Sequence, residues 1–316
     1  MINIPFSIKD SRQFKAFTGV SEEQFEKLEK VFEEVYDEKR KEEYEEAVRK
    51  GERKRKMGGG CKRKKLVTSE SKILFLLFYL KEYPSFDILG GMFGMSRSGA
   101  NDDVHEFLPI LYETLARMGV APHRSFDDVE EMKKILKKKN IDKIIIDATE
   151  RPHQRPKDSE KQRSLYSGKK GRHMIKNTII SSIDKFVLFL GGTFPGHRHD
   201  YAMLKEEFPP EIPWFGEPVV LVDLAYQGIR SDYESDNILI PHKKPRKSKA
   251  NPAPRLTETQ KESNRALSRV RVFVENAIGG IKRYNILNHV FRNKKTNFDD
   301  DVIAICAGLW NMTISA

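Results

Sequence analysis

Two cysteines in 316 residues, Cys61 and Cys306, stand far apart and outside any CxxC or Cys/His spacing. That excludes a disulfide framework and a structural zinc, and it fits a reducing compartment. Long hydrophobic runs are lacking as well. The longest, Ile73 to Leu80 and Val302 to Trp310, are too short to cross a bilayer. The amino terminus does not show the charged, then apolar, then small-residue order of a secretion signal. There is no serine elbow, no paired Cys and His and no phosphate-binding P-loop, so the chain offers no evident covalent nucleophile. It has no internal repeat.

What is present is charge. Charged residues make up 33% of the chain and hydrophobic ones 38%, the profile of a surface-rich soluble protein long enough for two or three cores. The formal charge of +11 and the pI near 9.4 point to a polyanionic partner, nucleic acid first. The distribution says more than the total. Arg49 to Lys65 holds ten Lys or Arg against one acid, Glu52, and is interrupted by Gly58-Gly59-Gly60. This is a basic linker suited to phosphate contact without sequence reading, and equally a solvated tether. A second basic stretch, His242 to Pro254, is broken by prolines and carries Lys243, Lys244, Arg246, Lys247 and Lys249. It cannot pack a core, and is either disordered or ordered by a polyanion.

The amino-terminal third reads as helical. Ser21 to Gln24 has the form of a capping box, and Phe25, Leu28, Phe32 and Val35 follow at helical spacing, in an acidic helix that frays towards Val48. Ile73, Leu74, Leu77 and Leu80 begin a compact helical unit. Phe86, Leu89 and Phe93 mark a short helix after Pro84-Ser85. Gly94-Met95-Ser96 forms a tight turn with Ser96 as N-cap, and Val104, Phe107, Leu108 and Leu111 line the next helix. Helix, short turn and capped second helix make a helix-turn-helix pattern. Its second helix would offer Arg97, Ser98, Asn101 and His105 to a major groove. A three-helix bundle has the same periodicity; the adjoining basic linker favours DNA. A short charged helix follows Ala121-Pro122, roughly Asp127 to Lys138.

Two stretches then repeat one design. Ile144-Ile145-Ile146 reads as a strand buried on both faces and ends in Asp147. Val219 to Val222 ends in Asp223, before the turn-prone Leu224 to Gly228. A lone Asp there would be an ordinary turn or cap residue. If the two strands lie parallel and adjacent, both carboxylates emerge at one end of a sheet. Gly171 to Ile180 and Lys185 to Leu190 read as a hairpin turning at Asp184, extending that sheet. The loop Gly196 to Asp200 opens a helix, Tyr201 to Phe208, with Asp200 expected as its N-cap. His197, His199 and Asp200 are too tightly spaced for a convincing metal cluster. A strand, Asn237 to Ile240, precedes the basic loop. The helix from Glu258 to about Tyr284 has an apolar stripe of Leu267, Val270, Val274, Ala277 and Ile281. Arg271, Glu275, Ile278 and Lys282 form the neighbouring stripe, which places Glu275 at the border of the buried face. An Arg271–Glu275 surface pair would be worth only about 0.2–0.5 kcal/mol. The alternative is a third carboxylate aimed at the sheet end, with Arg271 and Lys282 reaching for phosphate. Val302 to Met312 is a final apolar helix.

Two aspartates and a glutamate from two strand ends and one helix form an oxygen-ligand set suited to Mg²⁺, with Mn²⁺ able to substitute. Two such ions roughly 3.5–4 Å apart can activate a hydroxyl on one side of a phosphodiester and stabilise the leaving oxygen on the other.

The motifs Ile146 to Glu150, Gly196 to Asp200, Val222 to Gly228, and Arg271 to Glu275 with Ile281-Lys282 resemble the transposase block of the PIF/Harbinger and insertion-sequence-five superfamily. Tyr83 to Ser96 resembles the helix-turn-helix that precedes it there, and the likeness spans roughly residues 66 to 293. The resemblance implies an α/β catalytic domain with an RNase H-like mixed sheet flanked by helices, preceded by an all-α helix-turn-helix region. It implies that Asp147, Asp223 and Glu275 form the DDE triad of a DNA transposase, with Asp200 the second choice for the second acid. The family's carboxy-terminal signature sets Tyr, Arg, Glu and Lys in register; here Arg271, Glu275 and Lys282 are kept, and Ser268 stands at the Tyr position.

The expected division is a helical segment at 1–50, a basic linker at 51–65, the helix-turn-helix at 66–120, a connecting helix at 121–140, the catalytic domain at 141–293 and a terminal helix at 294–316. Expected partners are double-stranded DNA, as terminal inverted repeats and target, and further copies of the chain in a dimer or higher assembly, with no membrane. The expected location is the cytoplasm and nucleoid of a prokaryote, or the nucleus of a eukaryote. The expected reaction is cleavage that frees a 3′-hydroxyl, followed by attack of that hydroxyl on target DNA. Two further readings are a catalytically idle DNA-binding protein and a metal-dependent endonuclease that never joins its products.

Overall fold

A computed structural model describes residues 8–57, 65–249 and 252–315, so residues 58–64 of the basic linker, Cys61 among them, lie outside the described residues. The chain divides into two compact units. One comprises residues 1–121, 282–289 and 293–316, the other residues 122–281 and 290–292.

The first unit is all-helical. Helix α1 (Ser11–Thr18), not anticipated from periodicity, precedes α2 (Glu22–Arg49), whose expected Ser21–Gln24 capping box is complete. Instead of fraying, α2 stays helical to Arg49. Helix α3 (Ser69–Glu82) is buried on every side from Ile73 to Leu80, which makes it the central post of the unit. Helices α4 (Phe86–Met92) and α5 (Arg97–Arg117) flank the turn, with Ser85 and Ser96 as N-caps. Gly94 takes φ +65°, which favours glycine. Gly90 leaves room for the turn to fold back: a Cβ there would lie 2.7 Å from the Met95 carbonyl oxygen. The last helix, Phe298–Ile314, starts four residues earlier than expected and packs on α5.

The second unit is an α/β layer structure. Helix α6 (Val129–Lys138) begins beyond Asp127, because Asp128 caps it by accepting from the Glu131 N–H. The central strand β1 (Lys143–Pro152) is followed by α7 (Ser159–Leu165), the two-residue β2 (Tyr166–Ser167), β3 (Arg172–Ser182), β4 (Val187–Leu190) and β5 (Phe194–Pro195). Then come α8 (Asp200–Glu207), β6 (Val219–Leu221), α9 (Ile229–Asp232), β7 (Ile238–Leu239) and α10 (Glu258–Ile281). Helix α10 stops three residues short of Tyr284.

Strands β4, β3 and β1 form an antiparallel meander, and β6 and β7 continue the sheet parallel to β1. The fold is the expected RNase H-like mixed sheet flanked by helices. Ile144, Ile145 and Ile146 are each 0% exposed, so the strand is buried on both faces as its composition predicts. Ile144 and Ile146 join a core with α6, α8 and the segment after β6, while α10 packs on β1 and β3. Each isoleucine contributes about 1.5–3 kcal/mol through burial.

Gly90→Ala should lower stability by about 1–3 kcal/mol through overpacking against the turn backbone. Gly91→Ala, where a Cβ meets nothing within 4 Å, is the neutral or stabilising control. Thermal melts of both variants check this.

Candidate active site

The register of β1 and β6 decides where their terminal acids fall. The strands run parallel with Ile145 opposite Leu221. Asp147 and Asp223 each come two residues later, so both emerge at the same end of the sheet. Each is pinned through one oxygen by a nearby backbone amide. Asp147 Oδ1 accepts from the Ala148 N–H at 2.8 Å, and Asp223 Oδ1 from the Ala225 N–H at 2.6 Å. Asp223 is therefore also the cap of the Leu224–Tyr226 turn, so the plainer reading of that residue holds alongside any other.

The second oxygen of each acid faces a common cation. Arg271 Nη2, from α10, stands 3.9 Å from Asp147 Oδ2 and 3.7 Å from Asp223 Oδ2. These are ion-pair distances, too long for hydrogen bonds. Burial pushes the Asp147 carboxyl up to about 6; the Ala148 N–H and Arg271 oppose the shift, and the Asp223 and Asp200 charges add to it.

Comparison with known proteins agrees with this architecture. A family model described as "DDE superfamily endonuclease" matches residues 146–311, more than half the chain. The chain belongs to the DDE superfamily endonucleases. A second model, "Helix-turn-helix of DDE superfamily endonuclease", matches residues 64–117. The chain is also 29% identical over 289 residues to a protein of Microchaete diplosiphon named "Probable transposase for insertion sequence element IS702", covering 91% of this chain and 90% of that one. No solved structure matches.

In this DDE endonuclease Glu275 stays apart from the two aspartates. It is exposed on α10, one turn beyond Arg271, and not at the border of the buried face where its stripe predicts it. Among the described residues, no group of three or more His, Cys, Asp and Glu side chains is close enough to hold a metal ion. The arrangement is thus two carboxylates around a guanidinium. Ser268, at the family's Tyr position, is exposed.

Asp200 has a different occupation from the one expected. The N-cap of α8 is His199, whose Nδ1 accepts from the Tyr201 N–H. Asp200 lies inside the first turn and is drawn to Lys176 Nζ at 2.8 Å. Lys176 also meets Glu150 at 3.4 Å and donates to the Arg198 carbonyl at 3.0 Å. A lysine 8% exposed on β3 thereby ties the Gly196–Asp200 loop to the sheet. The signal for it was a lone Lys inside the apolar run Met174 to Ile180. Asp200 carries a committed counter-ion, whereas Asp223 shares its cation with Asp147.

The DNA-facing candidates divide by unit. At the start of α5, Arg97 and Ser98 are exposed, and Arg97 lies 3.8 Å from Asp87. Asn101 is half-buried, and its side chain donates to Asp102. His105 is half-buried with its ring 4.7 Å from that of Phe298, and Asn293 lies near its Nε2. Lys243 and Lys244 are exposed in the basic loop, which the Asn264 side chain fastens to α10 through both backbone groups of His242. Lys282 follows α10 and belongs to the first unit. No helix of the described residues is long and apolar enough to cross a membrane.

The raised Asp147 carboxyl makes a signed pH prediction. A buried acid with its native pKa near 6, above its unfolded value of about 3.9, binds protons more tightly when folded, so it destabilises increasingly as pH rises from 4 to 6. Asp147→Asn should therefore be more stable than the parent at pH 7.5, by on the order of 2–3 kcal/mol, with the gain vanishing near pH 4. Glu207, pushed up to about 7 by burial, titrates in an overlapping window but is common to both proteins. Melting curves in chelator across this range check it.

Proposed function

We propose that this DDE endonuclease is a transposase that binds the terminal inverted repeats of its element, cleaves the phosphodiester to free a 3′-hydroxyl, and joins that end to target DNA. The observation that carries this reading is the pairing of Asp147 with Asp223, each pinned through Oδ1 and presenting Oδ2 to one cation. Hard oxygen donors facing a shared positive group suit Mg²⁺ or Mn²⁺, and in this reading Asp147, Asp223 and Glu275 hold two such ions. Bound divalent cations supply activation of the attacking hydroxyl and stabilisation of the leaving oxygen.

The chain's own part is to position. The sheet fixes the two aspartates, and Lys176 keeps Asp200 out of the ligand set, which supports Asp223 as the second acid. Glu275 lies one turn past Arg271, so an advance of α10 by about 5.4 Å brings its carboxylate to where the guanidinium stands. Arg271, displaced, faces the phosphate. Arg97, Ser98, Asn101 and His105 read the repeat from the helix-turn-helix, with Lys243, Lys244 and Lys282 on the backbone. Joining two ends calls for at least two copies of the chain on DNA.

The separation of Glu275 favours a second reading, a DNA-binding protein that does not cut. A strand-cleavage and strand-transfer assay with Mg²⁺ on DNA bearing the repeats separates them. Asp147→Asn, Asp223→Asn and Glu275→Gln should each reduce cleavage about 100-fold or more, the scale seen when a stabiliser of transition-state charge is lost. Full cleavage by Asp147→Asn or Glu275→Gln refutes the transposase reading. Repeat binding with no cleavage by the parent supports the second, and cleavage without joining leaves a simple endonuclease.

A further inference from the structure

Tyr226 is a buried polar group to which the DDE reading gives no task. Its side chain is 0% exposed, and its hydroxyl has no hydrogen-bond partner among the described residues. Phenylalanine would fill the same volume without the cost of dehydrating that hydroxyl. The ring packs in the cluster that holds Ile146, Val222 and Tyr201, with the Tyr201 and Tyr226 centroids 6.1 Å apart. Those three residues are the chain neighbours of Asp147, Asp223 and Asp200. The ring is therefore wedged where the three acidic segments meet. Ionisation of the phenol is opposed first by burial and then by Asp147, Asp200, Asp223 and Glu207 in that order, which puts the O–H within electrostatic reach of all four.

The competing acceptors are already engaged. Asp200 is paired with Lys176, and Asp223 caps its own turn. Asp147 has one oxygen on the Ala148 amide and the other held only by an ion pair at 3.9 Å. We infer that Tyr226 is a positioning residue for the cation site, its buried O–H donating to the Asp147 carboxylate, directly or through one ordered water, when that carboxylate turns from Arg271 to a divalent cation. Outer partners of this kind orient metal-binding carboxylates and commonly change affinity by about 10–100-fold. The inference rests on the reading of Asp147 as a cation ligand.

The test uses the full chain and Mn²⁺ alone, with binding followed by electron paramagnetic resonance and melting measured in chelator. Tyr226→Phe should melt at or above the parent temperature, because an unpaired hydroxyl has been removed, while Mn²⁺ affinity falls about 10–100-fold. A purely structural tyrosine would move the two readouts together. Parent-like Mn²⁺ affinity in Tyr226→Phe, or a lowered melting temperature, overturns the inference. Asp147→Asn separates this from failure of the underlying reading: if Asp147→Asn binds Mn²⁺ as the parent does, Asp147 is no ligand and both fall. If Asp147→Asn loses Mn²⁺ but Tyr226→Phe keeps it, only the role of Tyr226 falls.

Discussion

The ion triad of Asp147, Arg271 and Asp223 is the interaction on which the catalytic unit turns. Two carboxylates sit at adjacent strand ends in a partly dehydrated setting, where they repel each other and lose hydration. A single guanidinium answers both. Removing one member of such a buried set typically costs about 3–5 kcal/mol, because the remaining charge is stranded. The rest of the unit serves that arrangement: β1 is buried on both faces, β6 lies beside it in parallel register, and α10 carries the arginine across. A one-residue slip of β6 would turn Asp223 to the opposite face and leave Arg271 with one partner.

Much of the fold was legible because local chemistry states it. Three consecutive isoleucines announce a doubly buried strand; Ser21 and Ser96 announce helix starts; Gly94 announces the turn. The elements missed are those that long-range contacts create. Helix α7 has no buried residue and thus no apolar stripe to read. Asp200 looked like a cap because caps are local, whereas its partner Lys176 lies 24 residues away across the sheet. The placement of Asp147 beside Asp223 followed from two strand-end motifs once their register was supposed. The identity of the group between them did not, because helical phase alone cannot say whether Arg271 or Glu275 reaches the sheet.

The two units divide the labour in a way composition foreshadows. The helical unit owes its stability to α3, an almost wholly apolar helix, which leaves the start of α5 free of core duties and able to expose Arg97 and Ser98. His105 is different. Its ring packs on Phe298, and burial holds its pKa below the usual value, so at neutral pH it meets DNA as a neutral hydrogen-bonding group and not as a cation.

Helix α10 explains why cation loading and substrate contact belong together. Residues four apart project from one face of a helix, one turn above the other. Arg271 and Glu275 are therefore alternatives for the same point at the sheet end, and the helix cannot supply both there at once. With the guanidinium inward, the aspartates are neutralised by the chain itself. With divalent cations present, the guanidinium becomes a like charge in the same space, and repulsion favours its departure. The helix that brings Glu275 inward then carries Arg271 outward, to the side where a planar, permanently charged fork suits a phosphate. Cation entry and arginine exit become a single step, which restricts a competent site to the loaded protein.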